Sequence, residues 1–350
     1  MELRVSVPNR IDLAGGTTDI YPLYLFLGGG CTVNAGITVR SVVEFRTLGE
    51  KAIRLTSLDL GEAVEAPDAS HLPTDGPLGL IGRTVSALPP ATGMEITTCN
   101  QAPAGSGLGA SSALLVALVT GLLQIRSESA EPEKVVDLAA NIECAAIGVP
   151  TGRQDHVAAY FGGISSVEFG YRGFSRAPLC SEPADRQRLE DMVILSYTGE
   201  GRFSGMNNWD VTKGVIEGRA QLKDKLLKIR DAAHDLAGAL RLRRWADVPR
   251  LVDAEWTLRR SLAPGISTPA IDRIAAAATA AGAAANKVCG AGGGGCMITL
   301  APAAKRSAVE RAVSDSGGTI IPFCVASQGI EFSGIDAVRE DQRNEASPRS

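Results

Sequence analysis

Ala102-Pro103-Ala104-Gly105-Ser106-Gly107-Leu108-Gly109-Ala110-Ser111-Ser112 runs without a break into an apolar segment that ends near Ile125. The apolar segment predicts a buried helix, and the glycines predict the shape of its entrance. Glycine at alternate positions lets backbone N–H groups turn inward with no Cβ in the way. The helix start adds unpaired N–H donors and the positive end of the dipole. Loop and helix together can cradle a phosphate. On the loop alone, a tight helix entry without a ligand stays equally open. Two common phosphate loops do not fit: no Lys follows a Gly in this stretch, and the spacing is G-x-G-x-G rather than G-x-G-x-x-G. Ser111 and Ser112 fall in the first helical turn, either as caps or as hydroxyls for Mg²⁺ beside a phosphate.

Strands cluster on both sides of this loop. Leu3, Val5 and Val7 alternate with polar residues and predict a strand that Pro8-Asn9 breaks. Gly15-Gly16-Thr17-Thr18-Asp19 follows, and Gly28 to Gly30 precede an extended stretch from Cys31 to Ile37. Val42 to Thr47, Ala52 to Thr56 and Met94 to Cys99 also read as strands. Beyond the loop, Pro132 starts a helix that Gly148 and Pro150 stop near Ile147. Ile164 to Phe169 and Val193 to Tyr197 read as strands, and Trp209 to about Trp256 as helical. An Ala-rich helix follows near Ile271 to Ala281. Two strands, Lys287 to Cys289 and Cys296 to Leu300, flank the glycine loop Gly290 to Gly295. A helix over Ala303 to Val313 and a strand over Thr319 to Phe323 complete the pattern. Clustered strands, without strict βαβ alternation, point to an α+β fold.

Two carboxylates follow the phosphate-loop candidate. Glu143 sits in the last turns of the helix from Pro132, where the dipole disfavours an acid, so a special partner is expected. Asp155, past the Gly148/Pro150 break, either takes a proton from a substrate hydroxyl or caps the next helix. His156 is about 100° away from Asp155 on a helix and reads as structural or supporting.

Composition removes several classes. The chain has 350 residues, 45% hydrophobic and 21% charged, enough for one large domain or two intimate ones. A net charge of −4 argues against a protein that coats nucleic acid or an anionic membrane. Seven Cys without a C-x-x-C pair argue against a disulfide framework or a zinc site, and point to a reducing cytoplasm. Three His, none at zinc-protease spacing, argue against His-ligated metal hydrolysis. The N-terminus lacks a signal peptide's apolar core, and the Ala110–Ile125 run is shorter than a membrane span.

The three segments PNRIDLAGGTTD (8–19), PAGSGLGASS (103–112) and KVCGAGGGGC (287–296) resemble the ordered motifs of the GHMP kinases, which include galactokinase, homoserine kinase, mevalonate kinase and phosphomevalonate kinase. GRQDHVAAYFGG (152–163) adds specificity, and the match is most similar to the sugar branch, with heptose 7-phosphate kinase and the kinase part of fucokinase. The resemblance implies a two-lobed α+β fold with the active site between the lobes: an ATP-binding N-terminal lobe over 1–190, a C-terminal lobe over 191–335 and a polar tail over 336–350. It implies ATP and Mg²⁺, and transfer of the γ-phosphoryl group to a sugar or sugar-phosphate hydroxyl, the anomeric one favoured.

Carried over by motif, residues 103–112 (Pro103, Ala104, Gly105, Ser106, Gly107, Leu108, Gly109, Ala110, Ser111 and Ser112) would bind the nucleotide. Ser111 and Glu143 would face Mg²⁺, although counting back from Ala113 selects Ser112 instead. Asp155 would be the base and Arg10 would stabilise charge on the attacking oxygen. Asp19 would contact sugar hydroxyls, with Gly16 and Thr18 beside it and Gly292 in the third motif. Gly15-Gly16 stands where galactokinase has Gly-Glu, which argues against galactose. A sugar that already carries a phosphate would need basic groups, and Arg153 and Arg202 are the candidates. A silent ATP- and sugar-binding sensor is the alternative. A serine hydrolase built on Gly173-Phe174-Ser175 lacks the last glycine of its motif. The partner expected is a small sugar, with no nucleic acid and no membrane; a homodimer is compatible with the sequence.

Overall fold

In the computed structural model, residues 2–201 and 205–334 are described. The chain builds two sheets. The larger contains β1 (Glu2–Ala14), β2 (Gly30–Thr47), β3 (Ile53–Ser57), β4 (Glu62–Ala66), β5 (Met94–Asn100), β6 (Ile164–Gly170) and β7 (Gly173–Leu179). The smaller contains β8 (Val193–Tyr197), β9 (Ala285–Val288), β10 (Cys296–Leu300) and β11 (Thr319–Ile320), in the order β11-β8-β10-β9. The last strand, β12 (Glu331–Ser333), returns to the larger sheet and pairs with β1. Residues 331–333, grouped by sequence with the C-terminal lobe, thus complete the N-terminal sheet.

The order in the larger sheet is β12-β1-β2-β5-β3-β4, with β6 on β2 and β7 on β6. The 18-residue β2 serves two partners in turn, β6 along Gly30–Ala35 and β5 along Ser41–Thr47. The sequence suggests two strands here because Thr38 to Ser41 lack clean alternation. Likewise Pro8-Asn9 does not end β1; the register shifts between them, and the strand continues. A bulge absorbs an irregular residue without ending the strand.

Helices α1 (Leu23–Phe26), α2 (Gly79–Ala87), α3 (Ala110–Ile125), α4 (Pro132–Ile147) and α5 (Gln154–Phe161) belong to the first half. The second half adds α6 (Pro183–Met192), α7 (Gly205–Ile216), α8 (Ala220–Arg241), α9 (Val248–Arg259), α10 (Pro269–Ala280) and α11 (Arg306–Asp315). The apolar α3 is buried on nearly every side, packed with Val5, Val7, Val43 and Phe45. Among the described residues, no helix is long and apolar enough to cross a membrane. A second core joins the sheets: Ile11, Leu13 and Val33 meet Leu195 and Ile298 through Leu236 and Leu240 of α8. That shared core fixes the relative position of the glycine loops. The near-motif at Ser175 lies within β7 of the β6–β7 hairpin, not at the strand-to-helix turn that a nucleophilic serine of this motif needs, so the hydrolase reading fails.

Candidate active site

The loop before α3 has Gly105, Gly107 and Gly109 all at positive φ, 68°, 72° and 75°. A Cβ on Gly107 would lie 2.7 Å from the Cys289 carbonyl oxygen, and one on Gly109 3.0 Å from Asp155. Any larger residue would push the loop off the third glycine motif or displace the carboxylate. The two loops are also hydrogen-bonded, with Cys296 N donating to Ser106 O at 2.6 Å. A cavity of about 400 Å³ opens above them. Ala104, Gly105, Ser106, Gly107, Gly109, Ala110, Ser111 and Ser112 line it. Pro103 does not, and Leu108 turns into the core.

The carboxylate of Glu143, buried on α4, reaches both serines. Ser111 Oγ donates to Oε1 at 2.6 Å, and Ser112 Oγ lies 3.1 and 2.9 Å from Oε1 and Oε2. Adjacent residues of one helical turn thus both reach the same acid. Thr151 Oγ1 donates at 3.1 Å, and His156 Nε2 is 3.3 Å away. Burial works against the Glu143 charge, but His156 and the two serines outweigh it and hold the carboxyl below its usual range. This also accounts for an acid in the last turns of a helix. Thr151 is a contact that the sequence reading missed.

Arg10 on β1 holds Asp155 in the first turn of α5. Its Nε and Nη2 lie 2.7 and 2.6 Å from Oδ1. Its Nη1 donates to Gly107 O at 2.6 Å, so one guanidinium ties the carboxylate to the glycine loop. Burial raises the Asp155 pKa, with Arg10 opposing it. A carboxylate whose proton affinity is raised by burial is a better proton acceptor.

The far end of the cavity is lined by Thr17, Asp19, Gly152, Gln154 and Asn208. Gln154 N donates to Asp19 Oδ2 at 2.9 Å. Gln154 and Thr17 carry no motif signal that singles them out; their neighbours Asp155 and Thr18 drew the attention instead. Thr18 turns inward, its hydroxyl donating to Gly15 O at 2.7 Å and accepting from Cys31 N at 3.2 Å. Thr17, at φ 71°, faces the cavity in its place. Gly16 and Gly292 do not line the cavity; Gly16 packs on Asp12 and Arg259, and Gly292 on Ile266. Arg153 is committed elsewhere, 2.9 Å from Asp137 and 3.2 Å from the Tyr24 hydroxyl. Arg202 lies outside the described residues.

Asp19 is 1% exposed, and burial pushes its carboxyl up to about 6, with the Gln154 N–H opposing. A raised carboxyl favours the folded state below the unfolded value of 3.8 and loses that benefit as pH rises through about 6. Asp19→Asn removes the buried charge while keeping an oxygen for Gln154. The variant should therefore be more stable than wild type at pH 7.5, by roughly 3 kcal/mol at most. The difference should fade by about pH 4. Urea unfolding at the two pH values checks this; an equal gain at both would assign it to packing.

The sequence signatures of two domains fall on these elements. The GHMP kinases N terminal domain matches residues 79–163, and the GHMP kinases C terminal domain matches residues 219–319, together more than half of the chain. The chain is a GHMP kinase. It is a phosphotransferase with an alcohol group as acceptor, of the family's mixed α+β fold. Family members use ATP as the phosphate donor. This kinase is 25% identical to the D-glycero-alpha-D-manno-heptose 7-phosphate kinase of Campylobacter jejuni, over 94% of this chain and 98% of that one. It is 27% identical to a mevalonate kinase of Thermococcus onnurineus, over 69% and 70% of the two chains. Among solved structures, a D-glycero-D-manno-heptose 1-phosphate kinase from Bacteroides thetaiotaomicron superposes with a TM-score of 0.76 at 26% identity, covering 95% of this chain and 99% of that one.

Proposed function

We propose that this GHMP kinase phosphorylates a sugar or sugar phosphate, heptose 7-phosphate-like or fucose-like, at its anomeric hydroxyl. One observation carries the reading: besides Glu143, which the metal would take, Asp19 lines the same cavity as Asp155. Ionised carboxylates only accept hydrogen bonds. A wall with two of them suits an acceptor that presents several hydroxyl donors. It suits the carboxylate of mevalonate poorly, since like charges repel.

The residues present fit ATP and Mg²⁺. Positive φ at Gly105, Gly107 and Gly109 keeps the loop tight against Asp155 and the third glycine motif, and the start of α3 offers backbone N–H groups for phosphate oxygens. Glu143, Ser111 and Ser112 are the hard oxygen donors that Mg²⁺ prefers. When bound, ATP with Mg²⁺ supplies the phosphoryl group and offsets its charge. The chain does the rest. Asp155 orients the acceptor hydroxyl and takes its proton, and Arg10 keeps that carboxylate against the loop. Asp19 and Thr17 fix the acceptor's other hydroxyls.

ADP release measured with fucose, galactose, mannose, arabinose, heptose 7-phosphate, mevalonate and homoserine tests the reading. One sugar should exceed mevalonate and homoserine in kcat/KM by about 100-fold or more, and the product's phosphorus coupling should place the phosphate on the anomeric carbon. Preference for mevalonate would overturn the sugar reading. Tight binding of ATP and sugar without turnover would leave a sensor.

A further inference from the structure

Four charged side chains that the reaction does not use are buried together beneath the acceptor end. Glu255 and Arg259 lie one turn apart on α9, Lys287 is on β9 and Asp12 on β1; each is at most 2% exposed. Lys287 Nζ stands 3.0 Å from Asp12 Oδ2 and 3.7 Å from Glu255 Oε2. Arg259 Nε and Nη2 donate to Glu255 Oε1 at 2.9 and 2.6 Å. Two positive and two negative charges balance. Burial works against the Asp12 carboxylate, and Lys287, Arg259 and Arg10 outweigh it.

The remaining side-chain bonds of Glu255 and Arg259 go to the loop that carries Asp19. Glu255 Oε1 accepts from Gly15 N at 3.1 Å. Arg259 Nη2 donates to Gly16 O at 2.6 Å, and Nη1 to Thr17 Oγ1 at 3.1 Å. Three consecutive residues of the first motif are therefore gripped from a helix more than 230 residues later in the chain. The last residue of this grip is strained, because a left-handed φ of 71° is disfavoured for a β-branched residue such as Thr17. Such a conformation persists only where the surroundings over-determine it. Buried ion pairs are weak evidence for added stability, since apolar packing often serves as well. What this cluster supplies is a fixed geometry.

We propose that Arg259 and Glu255 are positioning residues for the acceptor: they hold residues 15–17 in the strained turn that presents Thr17 and Asp19 to the cavity. The proposal rests on the assignment of this end of the cavity to the acceptor. Neither residue touches the reacting atoms, so the expected signature is a split between the two substrates.

The double variant Arg259→Met/Glu255→Gln removes one positive and one negative charge and leaves the Asp12–Lys287 pair intact. Its acceptor KM should rise about tenfold or more, while the KM for ATP stays within about twofold. In the protein without substrates, backbone hydrogen exchange over residues 15–19 should accelerate about tenfold, with the glycine loop at 105–109 unchanged. Thr17→Val, which keeps every charge and loses the hydrogen bonds with Arg259 and Asn208, should speed exchange at 15–19 about fivefold in the protein without substrates; that exchange carries the test if the double variant does not fold. Unchanged acceptor KM and unchanged exchange at 15–19 would overturn the proposal. So would a rise in both KM values with faster exchange everywhere, the mark of a merely structural cluster. Wild-type turnover is read first: if no sugar reacts, the sugar reading fails, and exchange at 15–19 still decides the clamp.

Discussion

Asp155→Asn should lower kcat by about 10³-fold while leaving ATP affinity within a factor of about two. The substitution keeps the shape of the side chain and an oxygen for the bond from Arg10. It removes the one property that proton acceptance needs, the negative charge. Burial already raises this carboxyl, so the wild-type group is tuned toward the proton it must take. The glycine loop keeps its backbone N–H groups in the variant, because Arg10 still has Gly107 O to hold at 2.6 Å. Steady-state kinetics with a binding measurement for ATP separate the two quantities. Full activity in the variant would remove Asp155 from the reaction; loss of ATP binding alongside turnover would make it a support of the loop instead.

Glu143→Gln is expected to have the next largest effect, on the metal. A neutral amide in place of this carboxylate should raise the Mg²⁺ concentration for half-maximal activity by about 10- to 100-fold, at least the range seen when groups around a metal are altered. The hydroxyls of Ser111 and Ser112 can turn to accept from the amide, so the helix start should stay folded. His156, wholly buried and 3.3 Å away, loses its anionic neighbour, which adds a moderate cost in stability. A Mg²⁺ titration of activity checks the assignment. An unchanged titration would leave Glu143 as a structural acceptor for three hydroxyls and nothing more.

What was legible in the sequence was local chemistry. The glycine loop and the helix it enters follow from backbone freedom and apolar runs that need only neighbours in the chain; the roles of the acids at 143 and 155 came only with the family resemblance. Side-chain direction was less legible. Thr17 and Thr18 differ only in which one occupies the left-handed position, and that exchange puts one hydroxyl in the cavity and the other in the core. Arg153 looked available because its partners, Asp137 and Tyr24, lie on separate elements. The buried quartet was invisible for the same reason: Asp12 and Lys287 are contacts of topology, and no periodicity connects them. β1 outlasted Pro8 because its partner β2 is long enough to absorb a register shift.

The pairing of β12 with β1 also has a consequence for synthesis. Residues 4–6 find their last partner only when residues 331–333 have been made. At about 5–20 residues per second, the ribosome delivers that partner tens of seconds after β1 has emerged. Throughout that interval the outer edge of β1 stays open to any strand that arrives first. An open edge is an aggregation hazard, and charged residues are a common defence. Glu2 and Arg4 stand on this strand, so the nascent chain carries its own protection until β12 arrives.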